Sequence, residues 1–316
     1  MKKMSKNICD PKKMVYIINL LNYIILLFFS KKIFTNQKSI DLPEEYDLRA
    51  EYKLCPSLNH IRNQYKCQGC WAFSTAEVIS DRICINSNGK NKEIISENEL
   101  LTCCYFCFDK SNPEKGCSGG SSELAFIYWI NYGLPTELCK PFNLYEFYDS
   151  NNLNCIDKCI DDSKPERYYG SGYRWIEKNE NDIMNEIYLY GSVTAGFKVY
   201  SDFYLFWENK DHSTIYELSP EAKFNKGNWH SIKIIGWGEE IINEKIVKYW
   251  LCANSWGRNK NNDGFFKFKR GENQCEIESY VHTGYINSKI LHRNKETMVV
   301  FENNFFNFNN LNKDFM

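Results

Sequence analysis

The sequence predicts an α+β protein whose helices lie mainly in the first half of the chain and whose strands lie in the second. Between Cys55 and Gly133, apolar residues recur at helical spacing and are bordered by helix-capping residues. After Cys159 the apolar residues form short continuous or alternating runs, which are typical of strands. With 316 residues and 43% hydrophobic content, the chain is long enough to bury one large core or two adjoining ones.

Three helices are predicted in the first half and one in the second. The first covers residues 70–83, where the apolar positions have helical spacing. The second starts at a capping box, residues 96–99 (Ser-Glu-Asn-Glu), and the third runs from residue 121 to about residue 132 and ends at Gly133. The fourth, residues 182–190, lies among predicted strands at residues 192–200, 231–236, 248–253 and 265–269.

The first thirty residues have the layout of a secretory signal. Several lysines precede an apolar run from residue 15 to residue 29, which is short for a membrane span. Because the cleavage site after Ser30 is poor, residues 1–30 are interpreted as a signal peptide or as an uncleaved signal anchor. A membrane partner is expected only in the second case. Residues 31–41 form a short polar connector, which leaves no room for a long pro-segment.

The 14 cysteines indicate disulfides or metal sites, and the secretory signal favours disulfides. The alternative is a zinc site at Cys103, Cys104, Cys107 and Cys117, but their spacing does not form two clean Cys-x-x-Cys pairs. We therefore expect no metal and no cofactor. The net charge of −1 and the absence of a basic cluster also argue against a nucleic-acid partner.

Cys70 is the main candidate for a catalytic residue. It stands in the stretch QYKCQGCWAFS, residues 64–74, at the start of the first predicted helix. Free backbone N–H groups and aligned peptide dipoles at a helix N-terminus favour negative charge. We therefore expect Cys70 to ionise readily to a thiolate, which is the nucleophilic form of cysteine.

A cysteine nucleophile needs a base, and His230 is the candidate among the five histidines. It stands at the head of an apolar strand, in the sequence WHSIKIIGWG. The base must in turn be held in the right tautomer by a hydrogen bond to its other ring nitrogen. Asn254, in the sequence ANSWG, fits that role.

Residues 67–71 resemble the nucleophile motif of the papain family of cysteine peptidases, with Gln68 and Gly69 as departures. The likeness is strongest to the cathepsin B branch and extends from Leu42 to about Gly284. The separation of Cys70 and His230, 230 − 70 = 160 residues, suits that branch. The resemblance implies a two-lobed papain-like fold for residues 42–284. It has a mainly helical lobe at about 50–140 and an antiparallel β-barrel-like lobe at about 160–284, with the active-site cleft between them. Residues 285–316 are an Asn-rich tail beyond the family domain.

The resemblance also implies roles for individual residues. The Gln64 side chain and the Cys70 backbone N–H would form the oxyanion hole, and Trp256 would shield the bond between Asn254 and His230 from water. The residues implied to contact substrate are Gly119, Gly120, Trp229, Trp256 and Tyr280. The implied disulfides are Cys55–Cys84, Cys67–Cys117, Cys103–Cys155, Cys104–Cys107 and Cys139–Cys159, while Cys252 and Cys275 stay unpaired.

These features together predict a cysteine endopeptidase that forms an acyl-thioester on Cys70 with His230 as acid and base. The alternative is an inactive papain-fold binding protein. The expected partners are protein or peptide substrates and cystatin-like inhibitors. The chain is expected to be a monomer of the secretory pathway, either extracellular or in a lysosome-like or vacuole-like compartment. Tyr280 predicts a hydrophobic S2 pocket, with Glu278 as the nearest acidic group. Residues 140–158 contain no His, which predicts a cleft that is open at its far end.

Overall fold

The computed structural model describes residues 40–109, 111–112, 115–143, 155, 157–209, 214–222, 226–258 and 261–286, without the side chains of residues 261 and 262. The predicted signal segment and nearly all of the predicted tail lie outside these residues. Among the described residues, none of the helices has the length and apolar character needed to cross a membrane.

The helical half is built as the sequence predicts. The α-helices of the described residues are α1 (Leu48–Glu51), α2 (Cys70–Asn86), α3 (Glu97–Cys103), α4 (Ser122–Tyr132), α5 (Glu180–Tyr190), α6 (Ser201–Glu208) and α7 (Asn261–Gly264). Short 3-10 turns lie at Pro56–Asn59, Lys115–Ser118 and Gln274–Glu276.

The strands form one sheet that is largely antiparallel. They are β1 (Tyr46–Asp47), β2 (Gly172–Ile176), β3 (Val193–Val199), β4 (Ile215–Tyr216), β5 (Asn228–Ile242), β6 (Lys245–Ala253), β7 (Phe265–Lys269) and β8 (Tyr280–Tyr285). Their order in the sheet is β2-β8-β3-β5-β6-β7-β4, with β1 paired to β5. The predicted α+β class is confirmed. The sheet stays open within the described residues and ends in a parallel β4–β7 pair, so it is barrel-like without closing.

Two hydrophobic cores correspond to the helical and the strand-rich parts. The helical core contains Trp71, Phe73 and Trp129, and the other core packs β3, β5 and β6 around Phe197 and Trp250. Removing this apolar surface from water is the main driving force for the fold. Each part therefore has a core of its own, and helix α2 contributes to both, since Cys84 and Ile85 near its end pack in the strand-rich core.

The helix ends follow the predicted capping chemistry with one difference. The Ser96 hydroxyl accepts a hydrogen bond from the Glu99 N–H, and Gly133 ends α4 with a φ of 69°. The Glu99 carboxylate does not return to the Ser96 N–H, because that N–H donates to Pro135. Glu99 instead pairs with Lys140 (2.5 Å) and Arg167 (2.7 Å), so the capping box is only half formed.

Helix α2 packs against strand β5 through buried polar contacts. The Ser74 and Ser231 hydroxyl oxygens are 2.7 Å apart, and about two turns further along the helix Asp81 pairs with Lys233 at 3.0 Å. Arg82 on the same helix donates to the backbone carbonyls of residues 191, 192 and 284 and pairs with Glu186 at 3.1 Å. These contacts fix the helix that begins at Cys70 relative to the strand that carries His230.

Candidate active site

Cys70 is a free thiol and the first residue of α2, where it is partly exposed. The helix cap, Gly69, offers no side-chain hydrogen bond to the first turn. A Cβ at Gly69 would lie 2.7 Å from the Leu101 side chain and 2.9 Å from the Cys67 sulfur. Only glycine fits this position without displacing its neighbours, which accounts for Gly69 directly before the thiol.

His230 and Asn254 form a buried hydrogen-bonded pair. Asn254 Oδ1 lies 2.8 Å from His230 Nε2 and also accepts from the Ser255 N–H at 2.8 Å. Because an N–H can bond only to the oxygen of the amide, the Ser255 contact fixes which amide atom faces the imidazole. His230 Nε2 is therefore the donor, and Nδ1 is the nitrogen that remains free to exchange a proton.

Trp256 covers the histidine pair. The Trp256 ring lies with its centroid 4.8 Å from that of His230. The same ring packs edge-to-face against Trp207, with the centroids 5.5 Å apart. Asn254 is completely buried and His230 is 6% exposed. Water is thus kept from the His230–Asn254 bond, which strengthens it.

The Cys70 thiol contacts the strand of His230 through the backbone of Ser231, which hydrogen-bonds to it. The Ser231 hydroxyl is also 2.7 Å from Ser74 on α2 and 3.3 Å from Ser122 on α4. Ser231 therefore joins both helices to the residue next to the histidine. Ser231 could not be identified from sequence spacing, because its only signal is that Ser231 and Lys233 are polar side chains at alternate positions of an otherwise apolar strand.

The surroundings disfavour separate charges on the thiol and the imidazole. Burial raises the pKa of the Cys70 thiol more than its backbone hydrogen bonds lower it. Burial also lowers the pKa of His230 to about 4, although the bond to Asn254 acts in the opposite direction. The helix N-terminus therefore does not by itself produce a thiolate, contrary to the sequence-based expectation.

Gln64 lies beside the thiol-bearing loop and is held at both ends of its amide. Its Nε2 donates to the Cys67 carbonyl at 2.7 Å, and its Oε1 accepts from the Ser255 hydroxyl at 2.6 Å. The Gln64 backbone N–H also donates to the Ser255 carbonyl at 2.8 Å. The amide is thus fixed in orientation, with a second Nε2 hydrogen left for a further acceptor.

The next residue, Tyr65, has an unusual backbone conformation. Its φ of 50° lies in the left-handed region that favours glycine. The Tyr65 N–H donates to the Asn63 side chain at 2.9 Å, and the Tyr65 side chain is exposed. The strained backbone is therefore accommodated locally, and the ring points away from the protein core.

Gly119 and Gly120 differ in what surrounds them. Gly119 has a φ of 103° and open space where a side chain would be, whereas a Cβ on Gly120 would lie 2.4 Å from the Trp71 ring. Trp71 is fixed by a hydrogen bond from its Nε1 to the Gly116 carbonyl at 3.0 Å. Gly120 is thus required for packing, and Gly119 keeps its backbone accessible.

Trp229 and Tyr280 form an exposed aromatic pair, 51% and 42% exposed, with ring centroids 4.7 Å apart. Lys198 lies over the Trp229 ring and pairs with Glu276 at 2.5 Å. Glu278 is buried and accepts hydrogen bonds from the Trp250 indole and from backbone N–H groups of residues 271 and 273. Its carboxylate is thus held away from the aromatic pair.

The described residues contain five disulfides, and these join the same pairs that the resemblance implies. They are Cys55–Cys84, Cys67–Cys117, Cys103–Cys155, Cys104–Cys107 and Cys139–Cys159. The four cysteines of the alternative zinc site are all oxidised in these bonds, so they are not available as metal ligands. Cys252 and Cys275 are free but buried, and burial raises the pKa of both thiols, that of Cys275 to about 12.

The comparisons with known proteins define the class. Residues 42–285 match the family model described as papain family cysteine protease, and the chain belongs to that family. It is 38% identical over 260 residues to a cathepsin B-like cysteine proteinase 3 of Caenorhabditis elegans, covering 77% of this chain and 66% of that protein. It is 37% identical over 258 residues to a gut-specific cysteine proteinase of the same organism, covering 77% and 73%.

A solved structure with a similar fold is procathepsin B S9 from Trypanosoma congolense. The TM-score is 0.66 at 30% identity, and the match covers 78% of each chain. The chain is therefore cathepsin B-like within the papain family, and it spans just under two thirds of the first of these curated relatives.

The His230 environment gives a titration test. In Cys70→Ala no thiolate can offset the imidazolium charge, so we expect the His230 pKa to fall to about 4, as burial dictates. In the wild-type chain, formation of a thiolate and imidazolium pair should keep His230 protonated to higher pH. NMR of the imidazole nitrogens measures the His230 pKa in both chains. His282, whose pKa burial also lowers to about 4, is the control and should titrate identically in the two chains. Identical titration of His230 in both would contradict a coupled pair.

Proposed function

We propose that the chain is a cysteine endopeptidase that hydrolyses peptide bonds through an acyl-thioester on Cys70. The supporting observation is a free thiol at the start of α2 beside strand β5, which bears His230, and the hydrogen bond of His230 to Asn254, which follows β6. Protein or peptide substrates follow from the family. The proposal includes the catalytic roles of individual residues and the endopeptidase mode of cleavage.

In the first half of the reaction, His230 Nδ1 takes the Cys70 proton as the thiolate attacks the substrate carbonyl carbon. The two charges form together, so each offsets the penalty that burial imposes on the other. The carbonyl oxygen becomes an oxyanion that accepts hydrogen bonds from the Cys70 backbone N–H and from Gln64 Nε2. His230 then gives its proton to the leaving amine, the C–N bond breaks, and the acyl-thioester remains.

In the second half, His230 removes a proton from water as the water oxygen attacks the thioester. The second tetrahedral intermediate uses the same two donors. It collapses with breakage of the C–S bond, the carboxylic acid product leaves, and the thiol regains its proton from His230. Asn254 holds the imidazole in one tautomer throughout, and Trp256 excludes water from that contact.

We further propose a domain of residues 42–284 that travels the secretory pathway to an extracellular or lysosome-like site. Five disulfides suit an oxidising compartment. The N-terminal signal peptide or anchor, the tail and the cystatin-like inhibitors remain proposals from the sequence.

The endopeptidase assignment depends on the stretch between Cys139 and Cys159. It contains no His to bind a substrate's terminal carboxylate, and its acidic residues 146 and 149 would repel one. Asp157, which the sequence also suggested for this role, pairs instead with Arg167 at 2.8 Å. Residues 144–154 and 156 lie outside the described residues, so the open cleft is inferred from their composition.

The test uses an internally quenched peptide with a free or an amidated C-terminus. We expect equal cleavage of internal bonds in both and no turnover by Cys70→Ser, because the open cleft does not require a terminal carboxylate. Release of C-terminal dipeptides from the free acid alone would contradict the endopeptidase mode. An inactive binding protein would cleave neither peptide and would resist a vinyl-sulfone cysteine probe.

A hydrophobic preference at P2 is expected from Tyr280, which gives an arginine no charge to pair with. We expect peptides with Leu or Phe at P2 to exceed Arg in kcat/KM by about tenfold or more. Tyr280→Glu should reverse the order. Glu278→Gln is the control and should leave the ratio unchanged, since Glu278 is held by other groups. Faster cleavage with Arg by the unmodified chain would overturn the assignment.

A further inference from the structure

A cluster of ionisable side chains is buried between α2, β5 and the segments beside them. Each member is at most 4% exposed, and the members are Arg62, Glu77, Asp81, Glu97 and Lys233. Glu77 lies on α2 about two turns from Cys70, and Lys233 lies on β5 three residues from His230. The cluster therefore spans the junction between the two elements that bear the candidate catalytic side chains.

Four of the five charges pair with one another. Asp81 pairs with Lys233 at 3.0 Å and also accepts from the Ser192 hydroxyl at 2.7 Å, and Arg62 pairs with Glu97. Two cations and two anions are thus balanced without Glu77. An ionised Glu77 would add one uncompensated negative charge to a buried site, which is costly.

Glu77 has little to stabilise a negative charge. Among the described residues it has no ion-pair partner, and its Oε1 is buried without a hydrogen-bond partner. Burial raises the pKa of Glu77 to about 7, and Asp81 on the same helix acts in the same direction. Lys233, Arg62 and a hydrogen bond from the Arg62 backbone N–H lower the pKa, but each of the two cations already has a carboxylate of its own, and burial outweighs all three.

Two further ionisable groups interact with Arg62. They are His60, two residues before Arg62 in the chain, and Glu137, which follows α4. Burial, aided by Arg62, lowers the pKa of His60, so this side chain is neutral near pH 7 and adds no cation. Glu137 acts on Arg62 as a further negative charge, so Arg62 has less positive charge to offer Glu77.

We propose that Glu77 is a positioning residue that carries a proton at the junction of α2 and β5, and that loss of this proton loosens the junction. The proposal rests on the proposed roles of Cys70 and His230. An ionised Glu77 competes with Asp81 for Lys233 and with Glu97 for Arg62. Weakening the Asp81–Lys233 pair frees β5 to shift against α2, and the histidine moves relative to the thiol.

The direction of the pH effect follows from proton binding. Below the ordinary carboxyl pKa of 4.5, Glu77 is protonated in the folded and unfolded chains alike. Between pH 4.5 and about 7 the unfolded chain loses this proton first, so stability falls as pH rises. Above that window the unfolding equilibrium constant is about 300-fold larger than it would be if Glu77 did not titrate.

The stability experiment compares Glu77→Gln with its parent, both in the full chain carrying Cys70→Ser to prevent self-cleavage. The unfolding constants of both chains are measured in denaturant at about pH 5 and about pH 8. At the lower pH the two chains should have similar constants. At the higher pH the unfolding constant of Glu77→Gln should be about 300-fold smaller than that of the parent. Parallel pH dependence in both chains would overturn the proposal.

Glu186→Gln is the matched control. The Glu186 carboxylate is also buried, but it pairs with Arg82 (3.1 Å) and Arg174 (2.9 Å) and accepts from Tyr285 (2.9 Å). The same substitution there should destabilise the chain at both pH values. If Glu77→Gln destabilised the chain as Glu186→Gln does, Glu77 would be an ordinary buried ion and the proposal would be wrong.

A kinetic experiment tests positioning, using the active chain and initial rates. Glu77→Gln should shift the descending limb of kcat/KM to higher pH without changing KM near pH 5, and an unchanged limb would overturn the positioning role. Absence of any peptidase activity would refute the proposed function but leave the unfolding experiment valid.

If Glu77→Gln does not fold, infrared spectra of the Cys70→Ser chain replace the comparison of the two variants. A buried carboxylic acid band should disappear between about pH 6 and pH 8, and its absence throughout would overturn the proposal.

Discussion

The packing of helix α2 on strand β5 is the contact on which the candidate active site depends. Cys70 begins the helix and His230 lies near the start of the strand, and neither element alone contains both groups. The contact is polar, with Ser74 against Ser231 near the thiol and Asp81 against Lys233 further along the helix. Polar contacts of this kind fix register more strictly than apolar ones, because a shift of one residue leaves a buried group without a partner.

The same burial that fixes this geometry also controls its chemistry. The pKa of the thiol is raised and that of the imidazole is lowered, so each charged form is unfavourable by itself. A thiolate and an imidazolium that form together offset each other's charge in a site from which water is largely excluded. Reactivity then depends on the separation of helix and strand, and so on the contacts beneath them.

Much of this arrangement could be predicted from local sequence patterns. The helix starting at Cys70, the helix closed by Gly133 and the strand at residues 265–269 have clear periodicity or caps, and the structure has them at those positions. Strands β2 and β8 were not predicted, because Trp175 and Tyr280 are exposed aromatics that break the alternation of buried residues. Such strands are defined by their pairing partners, which sequence spacing does not contain.

The polar side chains beneath the site illustrate the same limit. Glu77, Asp81 and Lys233 occupy positions that in a sequence suggest a solvated face, since charged residues are rarely buried. Their burial follows only from the packing of α2 on β5, which local periodicity does not show. Gln64 was assigned through family resemblance, whereas its contact with Ser255 is a tertiary one.

The most direct test of a coupled Cys70–His230 pair is the pH dependence of Cys70 alkylation by iodoacetamide, compared between the wild-type chain and His230→Ala. Cys252 and Cys275 are buried with raised thiol pKa values, and Cys70→Ser supplies the blank. The wild-type thiol should react well below its ordinary pKa of about 8.5, while His230→Ala should react only as the pH approaches or exceeds that value. The same pH profile in both chains would contradict the account.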